Sequence, residues 1–226
     1  MAKSVSKLKP RVPSVPSVHG GGTKRRLVDV AETLFTDNGY AGTSLDAIVA
    51  GAKVTKGAFY HHFGGKAALF ETVFERVEAD AAKRIQRSLR DPRDPWDKAR
   101  TGLRAFLDVV QEPRYRRIVI QEGPSVLGYE RYREMEERST YPNIVEIVRA
   151  VLEAGSWTLD GPMLDTFARI FFGAMSSAGE SVTTAEDPEE AAQRVEDAIG
   201  LLLSGVQLMV ESGDGLAAVF PTRGGE

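Results

Sequence analysis

Apolar residues recur along this chain with the period of a helix, and no stretch alternates with the period of a strand. From Thr23 the positions Leu27, Val30, Ala31, Leu34 and Phe35 follow i, i+3, i+4, i+7 and i+8, which puts one apolar stripe on a helix face. Asn38-Gly39 predicts its end, because glycine readily supplies the left-handed residue that closes a helix. Thr43-Ser-Leu-Asp46 has the spacing of a capping box, and it opens a short second helix with Leu45, Ile48 and Val49 inward. Thr55 caps a third helix, with Phe59 and Phe63 one turn apart. Lys66 begins a long helix with Leu69, Phe70, Val73, Phe74, Val77, Ala81 and Ile85 inward.

The run from Asp91 to Pro95 (DPRDP) breaks that helix. Another covers Trp96 to Gln111, and Pro113 restarts the chain for a short helix through Ile120. Glu122 to Gly128 (EGPSVLG) reads as a loop or a broken helix. Tyr129 to Ala154 is helical again, kinked or divided at Pro142. Met163 to Val182 forms the next helix, and Asp187-Pro188 cap and start the last, which carries Val195, Ile199, Leu202, Leu203, Val206 and Met209. The expected fold is all-α, with a three-helix N-terminal head on a larger helical body, about nine helices in total. The expected boundaries are a disordered basic arm over 1–22, the head over 23–70, the body over 71–215 and a flexible tail over 216–226.

Composition narrows the class without naming a function. The 226 residues are 42% hydrophobic and 27% charged, as in soluble globular proteins. The absence of cysteine excludes disulfide frameworks, thiolate zinc sites and cysteine nucleophiles. Apolar runs stay short of the ~18–20 residues of a membrane span, and Pro13 and Pro16 interrupt the N-terminal valines, so neither a span nor a secretory signal is expected and the location is read as cytoplasmic. Charge is uneven. Residues 1–72 hold ten Lys/Arg against five Asp/Glu, and residues 73–226 hold 19 against 27. A basic end on an acidic body points to a polyanionic partner, or to a solvated basic tail.

Two short helices joined by a tight turn over residues 44–63 make a helix-turn-helix, whose second helix lies in the DNA major groove. Thr55, Lys56, Gly57, Tyr60 and His61 fall on its outer side. Lys56 suits a phosphate or a guanine edge, and the hydroxyls of Thr55 and Tyr60 suit phosphate oxygens. Gly57 costs ~0.5–1 kcal/mol of helix stability relative to alanine but lets the backbone approach a groove wall. Tyr60 to Phe63 cannot all be core, since neighbours on a helix point ~100° apart. His61 and His62 do not share a face, so they lack the spacing of a metal site. No catalytic or nucleotide-binding motif is found, so no cofactor, metal or enzyme activity is expected.

The segment TSLDAIVAGAKVTKGAFYHHFGGKAALF, Thr43 to Phe70, resembles the DNA-binding segment of TetR-family transcriptional regulators, and AETLFTDNGYAGTS before it resembles that family's first helix. The resemblance implies an all-α homodimer that represses genes from an operator in double-stranded DNA and leaves it on binding a small-molecule effector. It implies that Thr43 and Lys66 hold phosphates, and that Thr55, Lys56, Gly57, Tyr60, His61 and His62 form the reading surface. It also implies that the last two helices form the dimer interface; completion of the monomer core is the other reading of their apolar faces. The chain departs from the family at Lys53, where glycine is usual in the turn, and at Gly64-Gly65. Either Lys53 adopts a left-handed conformation or Gly51 takes over the bend.

For the effector, the middle helices offer Trp96, Phe106, Tyr115, Ile118, Gln121, Glu122, Tyr129, Tyr132, Trp157, Phe167 and Phe171 as pocket candidates. Arg114, Arg116 and Arg117 read either as attraction for an anionic ligand or as solvated helix surface. An all-α enzyme or carrier with an incidental basic head, and an architectural DNA-binding protein without a sensor, are the competing classes.

Overall fold

The computed structural model describes residues 20–155 and 160–212, and over these it is a chain of helices. Helix α1 (Gly20–Gly42) buries Leu27, Val28, Ala31 and Phe35. Its regular part stops where the sequence places the stop: Gly39 has φ 71° and ψ 173°, a conformation open almost solely to glycine, and a single turn follows to Gly42.

Helices α2 (Leu45–Gly51) and α3 (Lys56–His62) complete the head. Ser44, one residue later than the capping-box reading, is the N-cap of α2 and accepts the Ala47 N–H at 3.0 Å. Thr43 turns inward instead, because its hydroxyl finds the free carbonyls at the end of α1. Thr55 caps α3 as expected, accepting the Ala58 N–H at 3.1 Å. The turn between them answers the question about Lys53. Lys53 has φ 54°, its N–H donates to Ala50 O at 3.0 Å, and the Val54 N–H reaches back to Val49 O at 3.1 Å. This pair of bonds is the Schellman closure of a helix, with lysine where glycine is favoured. Gly51 matters for packing instead. A Cβ there would fall 2.8 Å from Val30 Cγ1, so its absence lets α2 lie against α1. Lys53→Gly therefore relieves a left-handed side chain and should raise stability by about 1 kcal/mol, read from urea unfolding.

Helix α4 (Lys66–Ser88) buries every residue of the expected stripe, from Leu69 to Ile85, and runs unbroken from head into body. Asp94 caps α5 (Pro95–Gln111), which packs against α4 and against the helices of residues 141–154, 161–184 and 188–211 at the centre of the body. The next stretch is more finely broken than the expected single short helix. It comprises α6 (Pro113–Tyr115), a π-helical segment (Arg116–Glu122) and α7 (Gly123–Leu127). Pro142 divides α8 (Tyr129–Ser139) from α9 (Tyr141–Ala154). The chain then forms α10 (Gly161–Thr184) and α11 (Pro188–Glu211), the latter capped by Asp187 through the Glu190 N–H. Helix α1 starts at Gly20, inside the arm expected over 1–22, so Gly20–Gly22 are helical rather than disordered. The expectations for the rest of the arm, for the tail over 216–226 and for Trp157 lie outside the described residues.

Candidate nucleic-acid interface and effector cavity

Helix α3 divides its residues as a reading helix requires. Phe59 and Phe63 are buried, with ring centroids 5.7 Å apart, and they hold α3 on the head. Thr55, Lys56, Gly57, Tyr60 and His61 are exposed and His62 half-buried. A Cβ at Gly57 would meet nothing closer than Thr55 Oγ1 at 3.8 Å, so no packing inside the protein requires glycine there. Lys56 Nζ lies 2.6 Å from Asp46 Oδ1, and that bond, with Asp46's charge, pushes the Lys56 ammonium pKa up. Two residues expected at the phosphates face elsewhere. Thr43 is buried, and its hydroxyl lies 2.7 Å from Gly39 O and 3.0 Å from Leu34 O. Lys66 donates to Tyr40 O at 2.8 Å and Thr43 O at 2.9 Å, with its ammonium 4.1 Å from the centroid of the Tyr40 ring. Two of its three N–H groups thus tie α4 to the α1–α2 junction.

A second joint holds head to body. Glu122, at the end of the π-helical segment, accepts the backbone N–H of Tyr40 and pairs with Arg117 at 3.3 Å. Arg114 Nη1 donates to Glu32 on α1 at 3.1 Å, and Arg76 of α4 reaches the same carboxylate at 2.8 Å. Neither Gln121, which is exposed, nor Glu122 belongs to the pocket for which it was a candidate.

The body encloses a cavity of about 600 Å³. Ala99, Gly102, Leu103 and Phe106 of α5 form one wall, and Ile144, Ile147, Val148, Val151 and Leu152 of α9 form another. Phe167, Phe171, Phe172 and Met175 of α10 and Ile199, Leu202, Leu203, Val206 and Met209 of α11 close it. Polar groups are few: Tyr115, Glu136, Thr140, Asn143 and Ser176. Tyr115 and Ile120 both face inward because a π-helical turn brings residues five apart onto one face.

Comparison with known proteins agrees with both halves. Residues 27–73 match the model of bacterial regulatory proteins of the tetR family, and residues 96–206 match that of the tetracyclin repressor-like C-terminal domain. The chain belongs to the TetR family. A TetR-family transcriptional regulator of Pectobacterium atrosepticum, solved by crystallography, superposes with a TM-score of 0.71 at 28% identity, over 83% of this chain and 95% of that one. The TetC protein of transposon Tn10 from Escherichia coli is 32% identical over 47% of this chain and 54% of its own length. An HTH-type transcriptional repressor of Streptomyces coelicolor is 31% identical over 59% of this chain and 66% of its own. The chain spans about half the length of the first curated relatives it matches. These TetR-family relatives are regulators of transcription, not enzymes.

Of the pocket candidates, Phe106, Tyr115, Phe167 and Phe171 line the cavity of this TetR-family body. Trp96 is buried in the first turn of α5, away from the cavity, and Ile118 packs in the core shared with α1 and α4. Tyr129 is 71% exposed. Tyr132 stands behind the wall, where its hydroxyl donates to Glu136 Oε1 at 2.8 Å and its ring meets Phe74. Sequence reasoning missed the α9 wall, because an apolar stripe facing a cavity looks the same as one facing a core. It also missed two buried carboxylates. Glu78 is 1% exposed; Tyr115 Oη donates to its Oε1 at 2.8 Å, and burial pushes its pKa to about 7. Burial raises Glu136 too, against the hydrogen bond from Tyr132 and the charge of Arg133. Their Oε2 atoms and the hydroxyl of Ser139 are buried without a hydrogen-bond partner among the described residues.

Helices α10 and α11 also carry an outward apolar face. Ile170, Leu201 and Leu208 are 62%, 74% and 66% exposed, and the small residues Ala174, Ser177 and Gly205 are exposed beside them. No helix among the described residues is long and apolar enough to cross a membrane, and none of their His, Asp and Glu side chains gather as a metal site.

Proposed function

We propose that this chain is a ligand-responsive repressor of transcription that binds a palindromic operator in double-stranded DNA as a homodimer and is released by a small-molecule effector. The outer side of α3 carries the reading. Its hydroxyls, a lysine, a tyrosine and two imidazoles surround a glycine that nothing within the protein requires, at the positive end of a helix dipole. In the groove, Lys56 exchanges Asp46 for a phosphate or a guanine edge, Thr55 and Tyr60 bind phosphate oxygens, and His61 and His62 approach base edges. Thr43 and Lys66 act one step back, fixing the α1–α2 junction so that the reading helix keeps its tilt.

The effector enters the cavity between α5, α9, α10 and α11. Tyr115 and Ile120 touch it from the segment whose far end, Glu122, holds the backbone of Tyr40 in the head. Helix α4 carries the same displacement from the body to Lys66. An effector that prefers one spacing of the heads changes DNA affinity about 5–150-fold for a coupling of ~1–3 kcal/mol.

Selection of bound fragments from genomic DNA should enrich an inverted repeat whose half-sites lie about 34–36 Å apart, or a multiple of that. Enrichment of no palindrome sinks the reading. Gly57→Ala separates the reading surface from the fold. The methyl has room in the free protein and should stabilise α3 by ~0.5–1 kcal/mol. On DNA it holds the helix off the groove wall, and operator affinity should fall about tenfold, equivalent to ~1.4 kcal/mol. Thermal unfolding and fluorescence anisotropy with labelled operator, run on one preparation, read the two effects.

A further inference from the structure

The cavity is apolar almost throughout, and its one carboxylate is incompletely partnered. Glu136 is 5% exposed and lines the cavity; its Oε1 accepts the Tyr132 hydroxyl at 2.8 Å, and its Oε2 has no hydrogen-bond partner among the described residues. The nearest guanidinium, that of Arg133, stands 3.8 Å from Oε2, outside hydrogen-bond distance, and its Cζ lies 5.0 Å from the centroid of the Phe172 ring. Among the described residues, no lysine or arginine lines the cavity. Arg114 and Arg117, candidates for an anionic ligand in the sequence, pair with Glu32 and Glu122 at the head joint instead. Arg133 is shared with Glu137, whose Oε1 stands 3.8 Å from its Nη2, and Glu78 adds a further buried carboxylate behind Tyr115. The cluster thus has an excess of acceptors and of negative charge over one guanidinium, and a buried acceptor without a donor is costly.

We infer that the effector of this cavity is a lipophilic cation: an aromatic or aliphatic body seated among the α5, α9 and α10 side chains, carrying a protonated nitrogen that donates to Glu136 Oε2. The inference rests on the effector reading of the cavity proposed above. An ammonium supplies both the missing donor and the missing positive charge. A neutral hydroxyl supplies only the donor. A carboxylate supplies neither and meets Glu136 as a like charge. Phe167 and Phe171 favour the cation further, since ring faces attract positive charge.

The test uses three probes that share one body: 2-(1-naphthyl)ethylamine, 2-(1-naphthyl)ethanol and 1-naphthylacetate. Each is titrated into the full chain by calorimetry at pH 8 without DNA. The amine should bind about tenfold or more tighter than the alcohol, because it adds an opposite charge to the hydrogen bond that both can donate to the carboxylate, and the acetate weakest of all. Glu136→Gln keeps the shape and removes the charge. It should abolish the preference for the amine over the alcohol, while continued binding of both shows that the cavity is intact. Acetate binding as tightly as the amine, or an unchanged preference in Glu136→Gln, overturns the cation. Binding of none of the three to the wild-type chain overturns the effector cavity together with this inference, while the operator selection still tests DNA recognition on its own.

Discussion

Leu208→Glu should leave the chain monomeric in solution and lower operator affinity by about 10²–10⁴-fold, the factor lost when a second linked contact no longer binds at the effective concentration set by the first. The expectation comes from the open face of α10 and α11. Leu201 and Leu208 are seven residues apart on one side of α11 and largely exposed, and Ile170 projects from α10 beside them. Ala174, Ser177 and Gly205 leave room for another helix to approach closely. A contiguous apolar surface of this kind marks an interaction site rather than a solvated one. In a two-fold dimer the same patch serves both partners, so a single substitution places two carboxylates in the interface. Each leucine contributes ~1.5–3 kcal/mol of burial, and each replacement also takes an unpaired charge out of water. Leu208 is not a cavity residue, so the monomer should still bind the naphthyl amine. Leu202, Met209 and Phe171 both line the cavity and are exposed, so a partner docked on this face would also cover the cavity's open side. Light scattering and operator titration decide together. A Leu208→Glu chain that still has the mass of a dimer removes this face as the interface, whereas Leu208→Met should keep both mass and affinity.

The head was legible almost to the residue because local rules decide it. Apolar spacing chose Phe59 and Phe63 for the core, Thr55 announced the start of α3, and Asn38-Gly39 marked the stop of α1. What the sequence did not show there has two origins. Thr43 and Ser44 are both competent caps, and only the carbonyls of Leu34 and Gly39 decide that Thr43 turns inward. The carbonyls of Tyr40 and Thr43 that take two N–H groups of Lys66 are brought to it only across the fold. The body was legible as helices and much less so as a site. A stripe such as Ile144, Ile147, Val148, Val151 and Leu152 has the same spacing whether it meets a core or a cavity. The π-helical turn resets the phase, placing Tyr115 with Ile120 and sending Ile118 to the other side. No rule of apolar period finds Glu78, a charged residue in the buried stripe of α4, since its neighbours Tyr115, Ser139 and Glu136 come from distant parts of the chain.

That residue carries the other large expectation. Glu78→Gln should stabilise the protein at pH 8 by roughly 3 kcal/mol, and the gain should vanish toward pH 4.5. Burial raises the folded pKa of Glu78 from 4.5 to about 7, against the Tyr115 hydrogen bond and the nearby Ser139 hydroxyl and helped by the charge of Glu136. Below pH 4.5 the folded and unfolded chains both hold the proton, so Glu78 costs nothing. Between 4.5 and 7 the unfolded chain releases the proton while the folded chain keeps it, and stability falls as pH rises. Above 7 both are ionised and the full penalty stands, at ~1.36 kcal/mol for each unit of difference. Glutamine does not titrate; its Oε1 accepts the Tyr115 hydroxyl, and its amide brings a donor to the side where Glu78 Oε2 has no partner. Urea unfolding of the two proteins at pH 5 and pH 8 measures the difference, and a gain of equal size at both would rule out titration of Glu78 as its cause. On this expectation Glu78 weakens the fold at neutral pH, directly behind Tyr115 of the cavity. Local rules are broken at functional sites more than elsewhere. A cation in the cavity would offset through binding the charge that folding alone leaves uncompensated.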